Sequence, residues 1–336
     1  ALDSSKVLTL SIGLPMRNQA KLRALLANQY DPNSPLYHDF LTPDQFRQDY
    51  GPTDQTVSEV ESYLTASGLS NPRVSPSHQF IDVQGKVSDV ESAFHVQLHK
   101  YTYHGKSYYG PAGDPAVSSS LAGLVQNVSG LDNFGVYQPA MQLRPNAQGS
   151  GYSASDIQKA YNTSGLSDGS GQSIAFLELS DYQDSDIQQY QQQNNLPSNT
   201  PQRVQVDGGA QLDSGTPEVE LDLEIAGAMA PKASQLVYEG PNSGQGINDI
   251  YSQIVNDNKA KIVSISWGLC EQQTGGAELQ TLSQIFAQGA AEGIAFFAAA
   301  GDDGAYDCGD SNLAVDSPAD DPNVTGVGGT SLTLNG

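Results

Sequence analysis

The sequence predicts an α/β fold in two parts: a small ferredoxin-like α+β unit, then a doubly wound parallel sheet. Three observations carry this. Through about residue 104, half-buried strands and amphipathic helices, the inserted helices left aside, favour a β-α-β-β-α-β order in which three of the four strands are marked by pattern. Beyond residue 170, nearly solid apolar runs alternate with helical patterns, as in parallel strands covered on both faces. Between the two parts, 133–151 has no periodicity and collects Pro139, Pro145 and Gly149-Ser-Gly151, which reads as an exposed connector open to proteolysis.

Taken in order, Val7 to Leu14 alternates Leu8, Leu10, Ile12 and Leu14, a half-buried strand. Arg17 to Gln29 has helical spacing through Leu22, Leu25 and Leu26. Thr42 caps a second helix with Pro43 at its first position and Gln45 in capping-box position, and Thr53 caps a third through Val57, Val60 and Leu64. His78 to Val83 reads as a strand, Val87 to Phe94 as a helix, and Val96 to Tyr103 as a strand turning at His104-Gly105. In the second part the expected strands are Ser173–Leu179, Gln235–Tyr238, Ile262–Gly268 and Ile294–Ala300. The expected helices are 217–230, Ile247–Asn256 and Leu279–Glu292. Sites in such sheets lie outside the carboxyl ends of the strands, where Glu178, Trp267 and Asp302 fall.

Composition narrows the function. The chain carries 15 Lys and Arg against 38 Asp and Glu, a formal charge of -23, without a basic stripe, so nucleic acid is not an expected partner. The charge is uneven: residues 1–150 hold 10 basic and 13 acidic side chains, residues 151–336 hold 5 and 25. The acidic half would shed self-repulsion as its carboxylates protonate, which suits an acid environment. No apolar run spans a bilayer, so no membrane association is expected. The chain starts at Ala1 without Met or an apolar signal core, so any export signal is expected to be removed or never present. Cys270 and Cys308 read either as a bridge or as two buried thiols. The sequons at Asn127, Asn162 and Asn323 are compatible with secretion, though they arise by chance in a Ser/Thr-rich chain. The five histidines (38, 78, 95, 99, 104) all lie in the first part and read as surface or packing residues, with a pH switch as the alternative.

Glu218 and Asp222 stand four residues apart in Thr216-Pro-Glu-Val-Glu-Leu-Asp-Leu-Glu-Ile-Ala-Gly-Ala-Met-Ala-Pro231, with Thr216 as expected cap and Pro231 as stop. At about 100° per residue they share a face with Ile225, Ala226 and Met229, while Glu220 and Glu224 are expected to face water. Two carboxylates on an apolar face should have their proton affinities driven apart, the setting for general acid–base work. From spacing alone, a solvated face with an accidental four-residue interval competes evenly. Asp302 and Asp303 read equally as turn residues, Trp267 as core and Glu178 as a strand-end charge.

These segments resemble the sedolisin family of serine-carboxyl peptidases. Pro35-Leu-Tyr-His-Asp-Phe-Leu-Thr-Pro43 resembles its propeptide motif, and Tyr152 to Tyr161 the start of its mature enzyme. Glu218-x-x-x-Asp222 resembles its catalytic helix, Ser264-Ile-Ser-Trp-Gly268 its substrate strand and Ala300-Gly-Asp-Asp-Gly304 its oxyanion loop. The resemblance implies a subtilisin-like sheet with Glu218 as general base to a serine, Asp222 orienting it and Asp302 at the oxyanion. It further implies assisting roles for Glu178 and Trp267, substrate binding at Ser266 and Gly268, and a Cys270–Cys308 disulfide that suits export. A protonated Asp302 can donate to a developing oxyanion and an ionised one would repel it, which ties the chemistry to acid.

The implied organisation is a pro-kumamolisin-type prosegment over 1–132 acting as intramolecular inhibitor, an activation linker over 133–151, and a peptidase domain over 152–336. That domain is expected to stop before the nucleophile, leaving the parallel sheet incomplete. Gly328-Gly-Thr-Ser331 looks like the nucleophile motif, but Ser331-Leu-Thr-Leu334 alternates like a strand, so Ser331 is not expected to serve. Calcium is expected from the resemblance with no ligand in this chain. Expected partners are polypeptide substrates, and the expected location is extracellular. Two rivals stand beside this reading. A two-carboxylate glycosidase is disfavoured by a single Trp, and a non-catalytic peptide-binding or inhibitory fragment is the alternative outside enzymes.

Overall fold

A computed structural model describes residues 1–103, 105–140, 152–163 and 165–330. In chain order the elements begin β1 (Val7–Gly13), α1 (Gln19–Gln29), α2 (Pro43–Tyr50), α3 (Asp54–Ala66), β2 (Ser70–Val74), β3 (Phe80–Lys86), α4 (Val87–Ala93), β4 (Leu98–Tyr103), β5 (Lys106–Pro111) and β6 (Asn127–Ser129). There follow β7 (Gln138–Pro139), α5 (Ala154–Ala160), β8 (Ser173–Glu178), α6 (Asp184–Gln193), β9 (Gln202–Gln205), α7 (Thr216–Met229), β10 (Ser234–Glu239) and α8 (Gly244–Asp257). The chain continues through β11 (Ile262–Ile265), β12 (Trp267–Cys270), a single turn α9 (Glu271–Thr274), α10 (Gly276–Ala291), β13 (Ala295–Ala299), β14 (Asp316–Ser317) and β15 (Val324–Val327). They gather into two compact units, one formed by Ala1–Val136 with Ser243–Asn258 and Gln272–Ile294, the other by the remainder.

The first unit holds an antiparallel sheet in the order β2-β3-β1-β6, the order of a ferredoxin-like sandwich. Alternation in β1 puts Leu8, Leu10 and Ile12 inward, against Val57, Val60 and Leu64 of α3 and Val87 and Val90 of α4. The fourth strand is β6, whereas the Val96–Tyr103 pattern predicted for that place is β4, which pairs only with β5 in a separate hairpin. Period-two alternation marks a strand without naming its partner, and β6 is too short to register. The Thr42 capping box forms, with Gln45 N–H donating to Thr42 Oγ1 at 3.3 Å and Thr42 N–H to Gln45 Oε1 at 2.8 Å. Thr53 Oγ1 accepts from Thr56 N–H at 3.1 Å.

Helices α8 and α10 belong to this unit. Arg73 bridges Asp82 of β3 at 3.2 Å and Asp249 of α8 at 2.6 Å, while Ser129 Oγ donates to Glu278 Oε2 of α10 at 2.7 Å. Asn127 is buried and donates to Ala277 O and Thr281 Oγ1, so its sequon is spent on packing in this fold. His38, His78 and His95 occupy left-handed backbone positions (φ 57, 64 and 49), with His38 and His95 exposed and His38 stacked on Tyr37 and Phe40. His104 lies outside the described residues.

The second unit is built on a six-stranded, wholly parallel sheet in the order β15-β13-β11-β8-β10-β9. From central β8 the chain passes to β9 and β10 on one side, then to β11, β13 and β15 on the other. The order therefore switches at β8, and crevices open at the carboxyl ends beside such a strand. Phe176, Leu177, Val237, Val263, Phe296 and Ala298 are buried in these strands. Each large apolar side chain contributes roughly 1.5–3 kcal/mol on burial. The run Ile262–Gly268, predicted as one strand, breaks at Ser266: β11 stays in the main sheet, while β12 pairs antiparallel with β14 and β7.

Candidate active site

Helix α7 supplies both carboxylates. Its N-cap is Gly215, not the predicted Thr216, with Pro217 still inside the first turn. The Thr216 hydroxyl is used otherwise, donating to Asp181 O at 2.9 Å and accepting from Asp213 N–H at 3.2 Å. The Ser180 hydroxyl, just past β8, donates to Asp213 Oδ1 at 2.7 Å, so the start of the helix is tied to the end of the central strand. The buried stripe runs through Val219, Leu223 and Gly227, leaving Ile225, Ala226 and Met229 half-buried. Glu220 and Glu224 are also half-buried, rather than water-facing as predicted.

Glu218 is 3% exposed. Burial first, then the charges of Asp222 and Asp302, push its carboxyl up to about 8, while a hydrogen bond with Ser266 pulls the other way. Glu218 Oε2 is buried and has no hydrogen-bond partner among the described residues. Asp222 is raised to about 6, chiefly by burial, and is relieved by Ser266, whose hydroxyl reaches Asp222 Oδ2 at 2.7 Å and Oδ1 at 2.9 Å. Of the two, the ionised form is better supported on Asp222, both of whose oxygens accept from Ser266, while the charge of Asp222 raises Glu218 further.

Glu178 ends β8 and is fully buried. Its carboxyl is held well above the ordinary range by burial and by Asp222, with Glu218 and Glu239 adding to the effect. Trp267 Nε1 donates to Glu178 Oε2 at 2.8 Å, the one hydrogen bond that favours its charge. The Trp267 ring lies against Gly215, where a Cβ would collide with the indole. The indole therefore touches both Glu178 and the start of the Glu218 helix. Asp302 is exposed in the loop after β13, close enough for its charge to act on Glu218 and on Asp316.

The structure thus brings Glu178, Glu218, Asp222, Ser266, Trp267 and Asp302 to one end of one sheet. Gly268 sits in β12 with the Asp316 side chain filling the space where a Cβ would stand. Cys270 and Cys308 form a disulfide across 38 residues, fastening the loop that carries Asp302 to β12. The linker, expected to be exposed throughout, contributes β7: Gln138 pairs with Gly268, Pro139 with Trp267, and Ala140 N–H donates to Ser266 O at 2.8 Å. Tyr137 before it is buried and its N–H donates to Asn242 Oδ1. Two residues, one a proline, carry no periodic signal, so this strand was not readable from pattern. Gly215, Asp307 and Asp316 were missed as well, because nothing local separates them from ordinary turn residues. Ser331 lies outside the described residues.

Among the described residues no group of three or more His, Cys, Asp or Glu side chains is arranged to hold a metal ion. No helix among them is long and apolar enough to cross a membrane.

Comparison with known proteins follows the same lines. A family model for the pro-kumamolisin activation domain matches residues 1–134, and one for the subtilase family matches residues 205–334. Kumamolisin of Bacillus sp. (strain MN-32) is 34% identical over 315 residues, covering 88% of this chain and 57% of that protein. Sedolisin of Pseudomonas sp. (strain 101) is 28% identical over 347 residues, covering 96% and 59%. The chain therefore spans less than two thirds of the length of these curated relatives. Among solved structures, Pseudomonas sedolisin complexed with two molecules of pseudo-iodotyrostatin superposes with a TM-score of 0.52 and 29% identity, covering 56% of each chain. The epidermin leader peptide processing protease of Staphylococcus aureus, as its S393A mutant, has a TM-score of 0.50 at 13% identity over 96% of this chain and 70% of that one, a likeness of fold alone. The activation domain, the parallel sheet and these relatives together show that the chain belongs to the sedolisin family.

Proposed function

We propose that this chain is the precursor of a secreted, acid-active serine-carboxyl endopeptidase, with the nucleophilic serine supplied by sequence beyond residue 336. The observation that carries the reading is the buried Glu218 Oε2, which lacks a partner beside a carboxylate that has one. A serine hydroxyl donating to that oxygen would favour the ionised form and so lower the raised proton affinity of Glu218 towards the acid range, the condition for Glu218 to act as base with Asp222 beside it. Ser266 orients Asp222 in this scheme, and Glu178 with Trp267 sets the position of the pair from behind. Asp302 lies close enough for its charge to act on Glu218, and it is assigned as the partner of the tetrahedral oxyanion.

The substrate is a polypeptide laid antiparallel along β12, as β7 is. Residues 1–132 then act as an inhibitory prosegment whose linker occupies the substrate strand, with 133–151 as activation linker and 152–336 as the peptidase part. Calcium remains an expectation of the family, and no step here is routed through it. Incubating the full-length protein near pH 4 and mapping the new amino terminus by mass spectrometry tests the reading. Cleavage between Asn133 and Tyr152 is expected. An intact chain after prolonged acid incubation would refute it.

A further inference from the structure

Behind the Gly301–Gly304 bend two carboxyls meet. Asp307 and Asp316 are hydrogen-bonded to each other through their side chains. Each lies over a glycine, Asp307 filling the place of a Cβ on Gly301 and Asp316 that of a Cβ on Gly268. Gly301 immediately precedes Asp302, and Gly268 is the β12 residue paired with Gln138 of β7. Asp316 itself lies in β14, opposite Cys270, and Asp307 directly precedes Cys308. The carboxyl pair and the disulfide therefore join the same two segments side by side.

We infer that Asp307 and Asp316 form a proton-sharing clamp that positions the Asp302 bend against strand β12, closed in acid and released when the shared proton is lost. Two carboxyls hydrogen-bond only while one of them keeps its proton, and the resulting O–H···O⁻ bond is of the strong, charge-assisted kind. Without that proton two negative charges are left in contact. The other charged groups facing Asp316 are Asp302 and Asp303 from the same loop, both acidic. Strand β12, Trp-Gly-Leu-Cys, presents no charged side chain to it. Burial first, then Asp307, Asp302 and Asp303, push Asp316 from its ordinary 3.8 to about 8.

The sign follows from that direction. The folded value lies above the unfolded one, so the clamp is at full strength below about pH 4 and weakens as pH rises towards 8, with opening growing about tenfold per pH unit inside that window. The glycines are part of the device, since a side chain at either position would displace its carboxyl.

The importance of the clamp for turnover rests on the peptidase reading, whereas its existence can be tested on this chain without any activity. Hydrogen exchange, corrected for intrinsic rates, is followed at pH 5 and pH 7.5 in peptides covering 299–316. In the parent protein, protection should fall at least tenfold between the two conditions. Asp316→Asn removes the raised carboxyl and keeps an amide-to-carboxylate hydrogen bond that needs no shared proton, so its protection should change less than twofold, while Asp307→Asn, which leaves Asp316 buried beside Asp302 and Asp303, should lose less than the parent. Thermal melts at pH 5 establish that both variants are folded. Equal pH dependence in all three proteins, or no loss in the parent, would overturn the clamp. Absence of self-cleavage in the full-length protein with this exchange pattern intact would instead remove the peptidase reading and leave the clamp standing.

Discussion

Burial and the neighbouring charges of Asp222 and Asp302 all disfavour the ionised form of Glu218. Its folded value exceeds the unfolded one, so the stability associated with it is complete below about pH 4.5 and declines as pH rises to about 8. Glu218→Gln removes that liability. The variant should match the parent at pH 4 and exceed it by roughly 2 kcal/mol at pH 8 in urea denaturation. A variant less stable than the parent at pH 8 would show that Glu218 is ionised and partnered there. Residue identity alone could not have supplied this, because Glu220 and Glu224 sit in the same run. What separates them is burial: Glu220 is half-buried and accepts from Gln183 N–H at 3.2 Å, while Glu218 is enclosed.

At the scale of elements, the coupling between α7 and the central strand runs through Trp267 and the Ser180–Asp213–Thr216 network. Gly215→Ala would force the indole or the helix start to move. We expect a loss of roughly 1–3 kcal/mol in stability, together with a shifted fluorescence maximum of the sole tryptophan; an unchanged spectrum would contradict this packing. The same scale shows what was legible in the sequence. Elements with strong patterning were readable: β1 by alternation, α2 by its Thr42/Gln45 box, and β8, β10 and β13 by solid apolar runs. Helix α6 was not, since Asp-Ser-Asp-Ile-Gln-Gln-Tyr-Gln-Gln-Gln offers two apolar positions in ten. Nor was the break at Ser266, where apolar character continues and only the side-chain bond to Asp222 marks the change. Strand partners, as with β4 and β6, follow from tertiary packing and not from local period.

For the whole molecule, the uneven charge and the chemistry point the same way. The acidic half carries carboxyls whose proton affinities are raised by burial at Glu178, Glu218, Asp222 and Asp316. Each of these groups contributes stability that is lost as pH rises through its raised value, so the stability of the protein is expected to fall between about pH 5 and pH 8 in urea denaturation, and a rise would contradict it. The linker strand β7 on β12 puts the chain's own backbone where the proposed substrate would lie. The most direct measurement compares acid self-processing of the full-length protein with that of its Glu218→Ala, Asp222→Ala and Glu220→Ala variants at pH 4. Losses of at least about 100-fold are expected for the first two, and a change under about twofold for the third, since the half-buried Glu220 side chain accepts from Gln183 N–H and touches neither carboxylate of the pair. Equal rates in all three variants, or processing that survives loss of Glu218, would contradict the assignment of the buried pair as the catalytic carboxyls.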